Sequence, residues 1–82
     1  MPKTLVELKS GELGRVVSVM GGKGATLRLA AHGIVPGVVI EKIGNLTGGP
    51  VVLKIGQTQV AIGRGLARKV MVEDLTSEDN EK

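Results

Sequence analysis

The chain is 82 residues long, carries a formal net charge of +3 and contains no cysteine and no Phe, Tyr or Trp. That length holds one small domain, and the missing thiols exclude disulfides, thiolate nucleophiles, iron–sulfur clusters and thiolate zinc sites within one chain. The missing aromatics force a core of Val, Ile, Leu, Ala and Met, which favours several short β-branched strands.

In chain order, Thr4-Leu-Val-Glu7 has the pattern of a capping box. It predicts one helical turn that packs Leu5 and Leu8 and ends at Gly11. The run GELGRVVSVMGG is β-branched between Gly pairs and predicts a strand over 12–20. GGKG at 21–24 reads as a loop, and ATLRLAAH at 25–32 as a two-turn helix with Gly33 at C′. Pro36-Gly37 fits the centre of a type II turn. Strands follow at 38–43, 51–55, 59–62 and 69–75, with a turn cluster GNLTGGP before the second of these, a hairpin at Gly56-Gln57 and a single helical turn, 3₁₀ in character, at 63–68. Alternation places Val51, Leu53 and Ile55 on one face, Val60 and Ile62 inward, and Val70 and Val72 together. The pattern is mainly β: five short antiparallel strands with one short α-helix after the first, closed or nearly closed into a small barrel that hides its edges. The domain spans 1–75, and the acidic tail 76–82, TSEDNEK, reads as disordered.

Charge is unevenly placed, because residues 1–75 hold ten basic and five acidic side chains. A basic domain suggests an anionic partner, whether nucleic acid, membrane surface or an acidic protein face, with solubility alone as the plain alternative. No charged segment followed by a long apolar core opens the chain, which argues against a signal peptide. The longest apolar uncharged run, GIVPGVVI, is too short to span a bilayer. Together these predict a cytoplasmic protein without membrane insertion.

Catalytic motifs fail on inspection. MGGKGAT at 20–26 lacks the Walker pattern twice, at Val17 and at Gly24. GRGLAR at 63–68 mimics a dinucleotide fingerprint but ends in Arg68 and lies between hairpin strands. Glu41 and Glu73 lie on separate strands and read as a solvated face. His32, the only histidine, has no acidic neighbour and no partner ligands at useful spacing. It reads as a boundary residue beside Leu29. The sequence therefore predicts no enzyme and no resident cofactor, leaving only weak surface or intersubunit binding of a divalent metal. Arg64, Arg68 and Lys69 cluster near the last strand, with Arg15, Lys23 and Arg28 near the first. They could track phosphates, yet single-strand binders rely on aromatic stacking that this chain lacks.

An ordered series of residues resembles the FeoA (ferrous iron transport protein A) family and its SH3-like barrel domain. It comprises Leu5, Leu8, Gly11 and Gly14-x-Val16, then Arg28-Leu29 and Gly33-Ile34-x-Pro36-Gly37. It continues with Gly49-Pro50-Val51, Ala61-Ile62-Gly63-Arg64-x-Leu66-Ala67 and Val70-x-Val72. The family usually has Leu or Met where this chain has His32, which makes a substituted packing position the natural account of that residue. The resemblance implies an accessory protein of bacterial ferrous iron uptake, recruited to the inner face of the membrane by the GTPase-bearing transporter FeoB. Arg28, Arg64, Arg68 and Lys69 are the expected partner-binding residues. The same fold occurs as a C-terminal module of metal-dependent repressors, whose helix-turn-helix has no room here. The rival reading is a KOW-like nucleic-acid or ribosome-binding module, because Gly14-x-Val16-x-x-Val19-x-Gly21 resembles its strand–turn pattern. A third is an oligomeric scaffold, since exposed strand edges self-associate.

Overall fold

The computed structural model describes residues 2–45 and 49–76. The elements are β1 (Pro2–Thr4), a 3₁₀ turn (Leu5–Glu7), β2 (Leu13–Val19), α1 (Gly22–Ala31), β3 (Val39–Asn45), β4 (Val51–Ile55), β5 (Thr58–Ile62), a one-turn helix α2 (Arg64–Ala67) and β6 (Val70–Asp74). All six strands join one antiparallel sheet in the order β1-β6-β2-β3-β4-β5. The fold is mainly β as expected, with two corrections. There are six strands instead of five, because Pro2–Thr4 pairs with β6 through Pro2↔Glu73, Lys3↔Val72 and Thr4↔Met71. Three residues headed by Pro carry no alternation to read, and only the partner strand makes them β. The sheet is also open, so β1 and β5 remain edges that the sequence reading had hidden.

One face of the curled sheet encloses the core. Val16, Ile40, Val51, Leu53, Ile62, Val70 and Val72 point inward and meet Leu5 and Leu8 from the N-terminal segment, Leu29 and Ile34 around the end of α1, and Ala67 from α2. Two register shifts bend the strands around this core, one at Val16/Ser18 against β6 and one at Lys42/Gly44 against β4. A bulge adds one residue on one strand and sharpens the local twist. The extra residues, Val17 and Ile43, are left exposed. Gly14 marks the tightest seam: a Cβ there would stand 3.0 Å from the Val72 Cβ and 3.1 Å from the Leu8 Cδ1.

The helix begins earlier than its propensities suggest. Gly21 and Gly22 take φ of +101° and +80°, which together turn the chain from β2 into α1, so the helix opens at Gly22 and takes in Gly24 instead of leaving 21–24 as a loop. A side chain at Gly21 would also collide with the Lys69 stem, 2.7 Å from the built Cβ. The far end is a Schellman motif. The Ile34 N–H donates to the Leu29 carbonyl and the Gly33 N–H to the Ala30 carbonyl, both at 2.9 Å, and Leu29 and Ile34 enter the core together. The Pro36-Gly37 turn closes with the Val38 N–H on the Val35 carbonyl at 3.2 Å, and the φ of +97° at Gly37 makes it type II. Past β6, the Leu75 N–H donates to the Leu13 carbonyl at 2.9 Å, and Thr76 Oγ1 accepts from the Leu13 N–H at 2.7 Å. The rest of the acidic tail, 77–82, and part of the turn cluster, 46–48, lie outside the described residues.

Candidate functional site

The most unusual side chain is one that motif reading passed over. Lys42 sits on β3 two residues after the inward Ile40 and is 1% exposed, so its four-carbon stem runs through the core. Its Nζ donates to the carbonyls of Leu5 at 3.0 Å, Val6 at 3.2 Å and Leu8 at 2.7 Å. An ammonium has three N–H donors and no acceptor, so the set is complete. The same residue's main chain holds the segment that follows: the Gly11 N–H donates to the Lys42 carbonyl at 2.7 Å, and the Lys42 N–H to the Glu12 carbonyl at 2.9 Å. Burial pushes the Lys42 amine below its ordinary value, the Arg64 charge pushes it further down, and Glu12 opposes both. Fully occupied and shielded, this amine fastens the 3₁₀ turn to the sheet and is closed to substrate chemistry. Strict alternation from Ile40 was the available signal for its burial.

A second amine holds the first strand. Lys3 Nζ lies 3.0 Å from Asp74 Oδ2, and Asp74 Oδ1 accepts from the Thr76 N–H at 2.9 Å. This hydrogen bond to Asp74 raises the Lys3 value above the ordinary one.

The four expected partner-binding residues occupy different settings. Arg28 is exposed in the last turn of α1, and Arg68 is exposed at the C-cap of α2. Arg64 is half-buried, its Nε donating to the Gly49 carbonyl at 3.3 Å, and its charge is felt at Lys42. Lys69 is half-buried, lying across Gly21 at the start of α1. Arg64 is therefore partly engaged within the fold, whereas Arg28 and Arg68 present their charges outward.

His32 is exposed, and its position is structural through its backbone: it is the C-cap of α1, with its N–H on the Leu29 carbonyl at 2.9 Å. The Schellman turn brings Ile34 into the core with Leu29. Glu41 and Glu73 do not meet. Strand β2 runs between them, with Leu13 opposite Glu41 and Arg15 opposite Glu73, and Arg15 lies 3.7 Å from the Glu73 carboxylate. Among the described residues no three His, Asp or Glu side chains are grouped to hold a metal ion, and no helix is long and apolar enough to cross a membrane. The outer face of the sheet carries a shallow groove of about 380 Å³ lined by Leu13, Val39, Glu41, Lys54 and Gly56. It is open, and its two charged residues, Glu41 and Lys54, face each other across β3 and β4.

Known proteins resemble this arrangement over nearly its whole length. A family model described as the FeoA domain matches residues 3–74. A protein of Methanocaldococcus jannaschii, provisionally named Fe(2+) transport protein A, is 44% identical over 66 residues, covering 80% of this chain and 79% of that protein. The crystal structure of an iron uptake regulatory protein, FeoA, aligns with a TM-score of 0.84 at 37% identity, over 92% of this chain and 99% of that one. A manganese-dependent transcriptional repressor aligns with a TM-score of 0.79 at 21% identity, over 90% of this chain and 42% of its own. At that identity the likeness speaks for the fold alone. Since the match extends from the paired strand β1 to the last residue of β6, and a relative of similar length shares well over a third of the aligned residues, this chain belongs to the FeoA domain family.

Proposed function

We infer that the protein is a non-enzymatic accessory of ferrous iron uptake that works on the cytosolic side by binding the GTPase-bearing part of a FeoB-type membrane transporter. The observation that carries this reading is family membership across residues 3–74, joined to a relative named for Fe(2+) transport. On this reading iron is the transporter's cargo, and the accessory needs no cofactor of its own.

The docking surface we infer is basic. Arg28 and Arg68 supply exposed charge, with Arg64 at the start of α2 and Lys69 in the turn between α2 and β6. Opposite charge across an interface steers encounter and sets register more than it adds affinity. The test measures binding of the full chain to the purified cytosolic GTPase domain of the transporter by isothermal titration calorimetry. Arg28→Glu with Arg68→Glu is expected to weaken binding at least about tenfold, some 1.4 kcal/mol, with the melting temperature unchanged. Lys69→Glu and Arg64→Glu come second, because Arg64 also holds Gly49. Unchanged affinity in the fourfold variant overturns the surface, and failure of the native chain to bind overturns the partner.

A further inference from the structure

The two edges of the open sheet are built differently. The β1 edge has three residues, begins with Pro2, and carries Lys3 tied to Asp74. Short length, Pro and Lys are the usual devices that stop an edge from pairing with another chain. The β5 edge, Thr58-Gln-Val-Ala-Ile62, has five residues with no charge and no Pro. Its register against β4 runs unbroken through Val51↔Ile62, Val52↔Ala61, Leu53↔Val60, Lys54↔Gln59 and Ile55↔Thr58. Both bulges in the molecule's described strands lie elsewhere.

The turn decides which backbone groups face out. Gly56 has a φ of +61° and Gln57 has a negative φ, so the two-residue loop is of the II′ kind, closed by the hydrogen-bonded pair Ile55↔Thr58. Hydrogen-bonded and non-hydrogen-bonded pairs alternate along an antiparallel ladder. Thr58, Val60 and Ile62 therefore direct N–H and C=O groups to β4, and Gln59 and Ala61 direct theirs to the free side. Among the described residues no hydrogen bond is made to that side. Gln59 and Ala61 are exposed, and Val60 is half-buried against the core.

We propose that the β5 edge is a self-association surface, pairing antiparallel with β5 of a second copy of this chain about a twofold axis through Val60. The strand is complementary to itself in this register. Gln59 meets Ala61 of the second copy and Ala61 meets its Gln59, and each is a hydrogen-bonded pair. All four outward groups on each copy are thereby satisfied. Val60 faces its counterpart as a non-hydrogen-bonded pair, the closer of the two pair types, which extends the half-buried apolar row across the axis. Thr58 meets Ile62 at either end. In a chain of net charge +3, this uncharged edge lets two copies meet without opposing like charges across the ladder. The added strand continues a sheet that is antiparallel throughout, and the isologous contact closes at two subunits. One five-residue pairing covers far less than the roughly 1,600 Å² of a standard interface, so the dimer is weak and concentration-dependent.

The absence of native cysteine makes the test direct. Under mild oxidation Val60→Cys is expected to give a crosslinked dimer, because facing residues lie within disulfide reach. Thr58→Cys should not, because its copies lie about 14 Å apart along the strands. Hydrogen exchange on the native full chain is expected to slow at the Gln59 and Ala61 amides as concentration rises, while Thr58, Val60 and Ile62 stay unchanged. Ala61→Pro removes only an outward N–H, and Gln59→Lys with Ala61→Lys places like charges opposite each other twice. Each should keep the melting temperature within a few degrees and abolish the dimer in sedimentation velocity. A native chain that stays monomeric up to about 1 mM, the weak end of specific association, overturns the proposal. So does equal crosslinking of Thr58→Cys, or a dimer in which the Gln59 and Ala61 amides gain no protection.

Discussion

Two lysines fasten the N-terminal segment to the sheet, and they do so in opposite environments. Lys42 reaches through the core to three carbonyls of the 3₁₀ region and has no carboxylate in its hydrogen-bond set. Lys3 lies at the rim, its side chain 31% exposed, and pairs with an Asp74 side chain that is 5% exposed. Burial therefore lowers one amine's proton affinity, and a hydrogen-bonded carboxylate raises the other's. A lysine's structural weight depends less on its charge than on what is left behind when the charge is taken away. Removing Lys3 leaves a rim site that water can reach. Removing the Lys42 amine leaves buried carbonyls whose lost donor nothing replaces.

The comparison breaks most visibly at Lys42→Met, which keeps the stem and deletes the donors. A loss of about 3 kcal/mol is expected, from carbonyls at about 1–3 kcal/mol each partly offset by the apolar replacement. Chemical denaturation measures it, and amide exchange should accelerate first across residues 5–12. A loss below about 0.5 kcal/mol would show that the turn holds without its amine. Next comes Gly14→Ala, which tests packing at the same junction without touching either charge. Leu8 can yield by a few tenths of an ångström, but the Val72 Cβ on the neighbouring strand cannot. About 1–2 kcal/mol of destabilisation follows from overpacking, read as a lower denaturation midpoint with an unchanged slope. Lys3→Met should cost less than about 1 kcal/mol, as partly exposed ion pairs do.

The smallest effect is the pH dependence, and there the two amines differ in sign. Lys42 has a folded value below 10.5, so in the window just under 10.5 the unfolded chain holds more protons and stability rises with pH. Lys3 has a folded value above 10.5, so its contribution is complete below 10.5 and is lost as pH climbs through the folded value. Thermal melts followed from below to above 10.5 should therefore lose the rising limb in Lys42→Met and the falling limb in Lys3→Met. The same limb lost in both variants would contradict the assignment.

Local chemistry was legible where a residue type permits few alternatives. Thr4 and Glu7 announce the first turn, and the Glu7 Oε1 accepts from the Thr4 N–H at 2.7 Å. Gly33 and Pro36-Gly37 announce the end of α1 and the turn that follows, because a positive φ after a helix or after Pro calls for glycine. Alternation in β4, β5 and β6 gave the inward rows of Val, Leu and Ile correctly. The ordered motif series also pointed to the family that the comparisons show.

What the linear pattern could not contain was decided by tertiary contact. Pro2–Thr4 is a strand only because β6 lies beside it, and the helix starts at Gly22 only because Gly21 redirects the chain over the Lys69 stem. Arg64 and Arg68 lie four residues apart in sequence, yet Gly49 engages one and the other is exposed. Nothing in the linear motifs marked Lys42, since lysine is seldom buried, and it needed three carbonyls from a segment 34 to 37 residues away to go inside. The sequence by itself determined turns, apolar rows and family, since these depend on φ, side-chain shape and period. Pairing partners, free edges and the satisfaction of a buried charge belong to the tertiary structure, since each requires a donor and an acceptor that are distant along the chain to meet in space.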